Sequence, residues 1–353
     1  MKDPAVDPPA MKQVEAALQN FFEEAKTRAD QVGHEYVGLW QALERCTAGG
    51  KRFRPRLVML AYQQLGGHDL KNAALLGASI EILHTAFIVH DDVIDRDFYR
   101  RGVPNVAGWF RTTAENNGIL TADAEHGALS AGVLAGDLAL SNAYRLLRQV
   151  ETDSATRRRL DDIFDDAVFA SIAGEYLDLE FTGMPKMPTQ EKIIQAARLK
   201  TSAYSFEAPL QAGAVLAGAE DKVVAALKDF GRYAGIAYQI VDDILGVFGD
   251  ESSTGKTNWG DLREGKRTAL LSFAVGCPQW STISPMIGSG AMSASDADYV
   301  RQVLIECGAR GYSASLATEY AQRAESCLEA GEFSAPLRAA LLRVVDAVVN
   351  RVR

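Results

Sequence analysis

Cysteine is scarce in this chain of 353 residues: there are four, Cys46, Cys277, Cys307 and Cys327, and none sits in a CxxC spacing. That argues against a disulfide scaffold or a zinc site and fits a reducing cytoplasm. Positive charge is also in deficit. Lys and Arg total 37 against 46 Asp and Glu, a net charge of -9, which argues against a nucleic-acid partner. Such a balance repels an anionic substrate unless local cations reverse the field at a site. No run of 18 or more uncharged apolar residues occurs, so no membrane span is expected. Strand signals are missing as well, with no sustained alternation bounded by NG or DG turns. The first ten residues, MKDPAVDPPA, have no apolar h-region. They read as a proline-rich, disordered tail over 1–10 rather than as a secretory signal.

What remains is helix. Residues 11–30 place Val14, Leu18, Phe21, Phe22 and Ala25 at helical spacing. The pattern predicts further helices over 72–96, 128–150, 156–180, 190–217, 220–248, 298–308, 312–329 and 335–352. Several are apolar over most of their circumference, as in the centre of a large bundle. The fold class expected is therefore all-α: one helical bundle around a central cavity, over 11–353. Two stretches break the pattern. Residues 102–127 are rich in glycine and asparagine and long for a connection, and 276–297 read as a second loop.

Chemistry concentrates in two acidic segments. Ile88-Val-His-Asp-Asp-Val-Ile-Asp-Arg-Asp97 packs four aspartates into seven positions behind an apolar run. On a helix Asp91 and Asp95 share a face, with Asp92 about a quarter turn aside. Carboxylates gathered on a core-like helix are costly unless a cation neutralises them, and hard cations such as Mg²⁺ favour oxygen ligands. A lone DDxxD is equally compatible with a solvated acidic helix end. A second pair, Asp242-Asp243, closes another apolar helix, AYQIVDDILGVFGD. Two such pairs favour carboxylates on facing walls of a cavity, holding divalent cations bridged by a polyphosphate.

Basic segments accompany both. Gly49-Gly-Lys-Arg-Phe-Arg-Pro-Arg56 puts four cations in eight residues at a glycine turn that opens a helix near Pro55. Glycine admits close approach of an anion, and Lys51 and Arg54 can donate charge-assisted hydrogen bonds. Arg100-Arg101 follow the first acidic cluster. Lys200-Thr201 end a helix, and Thr254-Gly-Lys256 and Gly265-Lys266-Arg-Thr268 follow the second cluster. A diphosphate needs both partners, Mg²⁺ on one side and Lys or Arg on the other.

In that order, GGKRFRPRL, EILHTAFIVHDDVIDRD, RRG, LAGD, Lys200-Thr201, AYQIVDDILGVFGD and DLREGKRT resemble the trans-isoprenyl diphosphate synthases of the polyprenyl synthetase family. The likeness covers about residues 40–270. It implies an all-α fold around a deep cavity, a homodimer in the cytoplasm, and three Mg²⁺ per active site. The implied reaction joins isopentenyl diphosphate head-to-tail to an allylic diphosphate. By this resemblance Asp91, Asp95 and Asp242 are the metal ligands, with Asp92 and Asp243 beside them. Arg100, Lys200, Thr201, Gln239 and Lys256 map onto the allylic diphosphate site, with Lys266 also counted among the substrate-binding residues. Gly50, Lys51, Arg54, His84 and Arg101 map onto the isopentenyl diphosphate site. Asp91, Asp92, Asp95, Lys200 and Asp242 form the implied catalytic set. His90 lacks such support and reads as structural.

The chain departs from the pattern at Gly246, where the second motif reads DDILG and loses one carboxylate. Product length should depend on the residues four and five before Asp91. Of these, Ala86 leaves room and Phe87 blocks. One aromatic rather than two suggests geranylgeranyl diphosphate as the product. Farnesyl and longer chains are the alternatives. A class I terpene cyclase or a non-catalytic subunit of a heteromeric synthase fits the motifs less well.

Overall fold

The helical spacing of the sequence is realised almost throughout the computed structural model, which describes residues 8–249, 259–331 and 333–350. The chain is all-α, and it falls into two compact units. An N-terminal unit runs to Arg157 and takes in Leu216–Gly218. A C-terminal unit comprises Arg158–Val215 and the chain from Ala219 on.

In the N-terminal unit, α1 (Pro8–Asp30), α2 (His34–Thr47), α3 (Phe53–Gln64) and α4 (Leu70–Ile94) precede a hairpin of β1 (Tyr99–Arg100) and β2 (Val103–Pro104). Helices α5 (Val106–Asn116) and α6 (Thr121–Gln149) follow. Helix α4 is the axis, started by an Asp69 cap that accepts from the Asn72 N–H. It is long and apolar enough to cross a membrane, but 72% of that apolar window is buried inside the protein, as in a core helix. Leu76, Ile80 and Leu83 are at most 1% exposed, so truncating any one to alanine costs roughly 2–5 kcal/mol. Small residues let α6 lie against α4. Ala124, Ala128, Ala135, Ala139 and Ala143 are buried along one stripe, and a Cβ on Gly132 would fall 2.4 Å from Val93.

In the C-terminal unit, α7 (Ser154–Gly183) is followed by α8 (Gln190–Ala197), a π-helical segment (Arg198–Glu207), α9 (Ala208–Leu216) and α10 (Asp221–Phe248). Shorter helices follow: α11 (Gly260–Glu264), α12 (Ala269–Ala274) and α13 (Trp280–Ile283). Then come α14 (Ala294–Glu306), α15 (Ala309–Ala330) and α16 (Ala335–Val349). Helix α10 is the axis here, packed on the π segment and on α15.

Several expectations need correction. The first helix opens at Pro8, inside the expected tail, because Ala10 and Met11 are already buried; residues 1–7 lie outside the described part. Residues 102–127 are not a loop. They hold a strand, α5 and the first two turns of α6, because Asn105 caps α5 through the Gly108 N–H. Residues 276–297 contain α13 and the start of α14, which opens with a Ser293–Asp296 capping box. The expected helix over 190–217 changes its winding. Pro209 has no N–H for the Ser205 carbonyl, and the wider turn before it relieves that clash.

Candidate active site

In the N-terminal unit the last turns of α4 present Asp91, Asp92 and Asp95, and the hairpin folds back on them. The Arg100 guanidinium donates to Asp91 Oδ2 at 3.0 Å and to Asp92 Oδ1 at 2.6 and 2.9 Å. Asp92 is buried, with its side chain 3% exposed against 24% for Asp91, and Asp95 is half-buried at the helix end. Burial opposes the Arg100 charge, but Asp92 and Asp91 outweigh it and hold the guanidinium above its usual pKa. The turn of the hairpin is Arg101-Gly102, both left-handed at φ 55° and 76°, as a two-residue turn requires. A non-glycine residue there stores on the order of 1 kcal/mol of strain. Asn105 holds the base of the turn by donating to the Asp97 carbonyl at 2.7 Å.

The glycine turn before α3 meets this hairpin. A Cβ on Gly50, at φ 79°, would fall 3.4 Å from the Arg101 guanidinium, so the exposed Gly50 and Arg101 lie side by side. Lys51 is exposed and Arg54 half-buried. Arg52, between them, turns inward to Glu15 and Glu81 and ties α1 to α4. Burial, with the charges of Arg54, Arg100 and Arg101, pushes the His84 imidazole well below its usual value, and Asp91 opposes them. Gly50, Arg54, His84, Arg100 and Arg101 are thus brought together beside Asp91. Burial and the Asp92 charge push the Cys46 thiol up to about 12. His90 packs on Gly136 and pairs with Asp137 at 3.4 Å, which accounts for the LAGD motif structurally.

In the C-terminal unit, Lys200 is held by Glu175 at 2.9 Å and Asp178 at 2.8 Å, both from α7. Thr201 donates to Gln239 Oε1 at 2.5 Å, and the Gln239 amide donates to Asp243 Oδ1 at 2.7 Å. Burial, then the charges of Asp261, Asp242 and Asp178, raise Asp243 above the usual carboxylate range against that hydrogen bond. Asp242 is exposed, not buried as its apolar context suggested. Lys266 pairs with Glu264 at 3.1 Å and lies 4.0 Å from Asp261. Lys256 lies outside the described residues.

Gly246 has a spatial counterpart. A Cβ there would fall 2.0 Å from Asp261 Oδ2, so the Asp261 carboxylate stands where a side chain at 246 would begin. Sequence reasoning also missed Glu175 and Asp178. Their only signal was an acidic pair three apart on one helix face, next to the small residue Gly174. Of the product-length residues, Ala86 is fully buried and Phe87 half-buried.

No three His, Cys, Asp or Glu side chains among the described residues are gathered closely enough to hold a metal alone. The donor chemistry nevertheless suits Mg²⁺, which is commonly bound by one or two carboxylates completed by substrate phosphates and water.

The polyprenyl synthetase family model matches residues 38–304. The geranylgeranyl diphosphate synthase of Methanosarcina mazei is 30% identical over 305 residues, 86% of each chain. The geranylfarnesyl diphosphate synthase of Aeropyrum pernix is 33% identical over 320 residues, 88% of this chain and 93% of that one. A crystal structure of the Corynebacterium glutamicum geranylgeranyl pyrophosphate synthase, complexed with isoprenyl diphosphate and magnesium, is 28% identical. It superposes with a TM-score of 0.90 over 96% of this chain and 97% of that one. The chain belongs to the polyprenyl synthetase family and is a prenyltransferase of the trans-isoprenyl diphosphate synthase type.

Proposed function

We propose that this protein condenses isopentenyl diphosphate head-to-tail with allylic diphosphates in a Mg²⁺-dependent reaction, and that its main product is geranylgeranyl diphosphate. The observation that carries this reading is the group beside α4, where Gly50, Arg54, His84, Arg100 and Arg101 stand next to Asp91. That is a site for an anion adjoining a site for its cation.

Asp91, Asp95 and Asp242 would hold Mg²⁺, with Asp92 supporting. When bound, the ion supplies Lewis-acid neutralisation of the departing diphosphate. Arg100, Lys200, Thr201, Gln239 and Lys256 hold the allylic diphosphate and stabilise it as the C–O bond ionises, and Lys266 is a further substrate-binding cation. Gly50, Lys51, Arg54, His84 and Arg101 hold isopentenyl diphosphate, and the neutral His84 donates one N–H to it. The double bond of isopentenyl diphosphate attacks the allylic cation. The proton then lost goes to the released diphosphate, so no side-chain nucleophile is needed.

Ligand binding exchanges partners. Arg100 would leave Asp91 and Asp92, and Lys200 would leave Glu175 and Asp178, for phosphate oxygens, which frees the first motif's carboxylates to hold Mg²⁺. Mg²⁺ and diphosphate therefore bind more tightly together than apart. Residues 11–353 act as one prenyltransferase domain, working as a homodimer in the cytoplasm with three Mg²⁺ per site. The free state of all four cysteines suits a reducing compartment. Phe87, with Ala86 beside it, limits chain growth.

Replacing Asp91 by alanine tests the assignment. Turnover should fall by at least about a thousandfold while the melting temperature stays near that of the parent, and full activity in that variant refutes the role given to Asp91.

A further inference from the structure

The ten-residue π segment Arg198–Glu207 holds Lys200 and Thr201. Such segments are rare, mostly single bulges, and concentrate at functional sites. Here the first and last residues of the segment are an ion pair: Arg198 Nε donates to Glu207 Oε1 at 3.3 Å. Glu207 is buried, with its side chain 4% exposed, whereas Arg198 is 37% exposed. Neighbouring glycines fit the wide winding. A Cβ on Gly231 would fall 2.9 Å from the Glu207 amide nitrogen, and one on Gly235 would fall 2.6 Å from Ser202 Cα. On the other side, a Cβ on Gly174 would fall 2.1 Å from the Lys200 amide nitrogen.

Rewinding this segment as an α-helix would change the register between its ends. Residues before the bulge would rotate by roughly 100° against those after it. Lys200 would then leave Glu175 and Asp178, and Thr201 would leave Gln239.

We infer that the Arg198–Glu207 pair is a positioning device that fixes the π register and so sets Lys200 and Thr201 for the allylic diphosphate, although Glu207 itself touches no substrate. The inference rests on the proposed role of Lys200 and Thr201. It separates Glu207 from a merely structural residue, because loss of the pair should act on one substrate and not on the other.

The test is Glu207→Gln, which keeps the size and removes the charge, measured with Arg198→Gln, which alters the half-exposed end if the first variant folds poorly. Both should raise KM for the allylic diphosphate about tenfold or more. KM for isopentenyl diphosphate should stay within about twofold, and the double exchange Arg198→Glu with Glu207→Arg should recover part of the loss. An unchanged allylic KM in both folded variants overturns the inference, and so does an equal rise for both substrates. Lys200→Ala separates this from failure of the site assignment. If it leaves the allylic KM unchanged, the role of Lys200 is wrong. The inference is then decided by a crystal structure of Glu207→Gln, where α-helical winding over 198–207 supports the clamp and a retained π winding overturns it.

Discussion

Restoring the carboxylate that the second acidic motif lacks is expected to harm the enzyme. In Gly246→Asp the new Cβ would start 2.0 Å from Asp261 Oδ2, at least about 1.4 Å inside the 3.4 Å at which ordinary contact begins. Asp261 must move, and a fourth carboxyl joins Asp242, Asp243 and Asp261. Two carboxylates about 4 Å apart repel by about 1 kcal/mol in water and about 4 kcal/mol at an effective dielectric near 20. A loss between those limits lowers the melting temperature by several degrees. Where the transition state feels the same repulsion, kcat/KM falls by about fivefold at the lower limit and roughly several-hundredfold at the upper, since about 1.4 kcal/mol corresponds to a factor of ten. Thermal unfolding in EDTA and in Mg²⁺, together with steady-state kinetics, reads both effects. Adding Asp261→Asn should recover much of the stability, because it removes the nearest like charge. If Gly246→Asp alone is as stable as the parent and more active, then Asp261 does not occupy the place of the missing acid.

Other expectations follow from close packing, protonation and the cavity floor. Gly174→Ala would press a Cβ to 2.1 Å from the Lys200 nitrogen, where only backbone can yield. It should cost about 1–3 kcal/mol in denaturant unfolding and raise the allylic KM, and a neutral effect would show that α7 and the π segment separate freely. The Cys46 thiol, pushed up to about 12 by burial and by Asp92, should resist maleimide at pH 8 in the native protein and react once it is unfolded; rapid native labelling contradicts the site geometry. His84 has its pKa lowered in the folded state, so between that value and its usual one near 6.5 the unfolded chain binds more protons. Stability should therefore fall with falling pH through that window, and less steeply in His84→Gln. Phe87→Ala should lengthen the product by at least one isoprene unit, and an unchanged product mass would place the floor elsewhere.

The all-α class and the two acidic helices were legible because apolar spacing and aspartate placement are local signals. Helix α2 was not foreseen, and α5 was hidden by the glycines and asparagines around it, although Asn105 is its cap. The basic turn already pointed to Lys51 and Arg54 as anion donors, but only tertiary structure shows Arg52 turned inward and Arg54 beside His84. Gly246 looked like a lost ligand because Asp261 is fifteen positions away in sequence and adjacent in space. The partners of Lys200 escaped for the same reason, and the π winding occurs where Pro209, Gly231, Gly235 and the Arg198–Glu207 pair converge on one segment in space.

The most direct test incubates the purified protein with Mg²⁺, isopentenyl diphosphate and dimethylallyl, geranyl or farnesyl diphosphate in turn, and reads the product by mass. Metal-dependent condensation ending mainly at geranylgeranyl diphosphate is the predicted result. No condensation with any of the three primers, in protein that is folded and supplied with Mg²⁺, would contradict it.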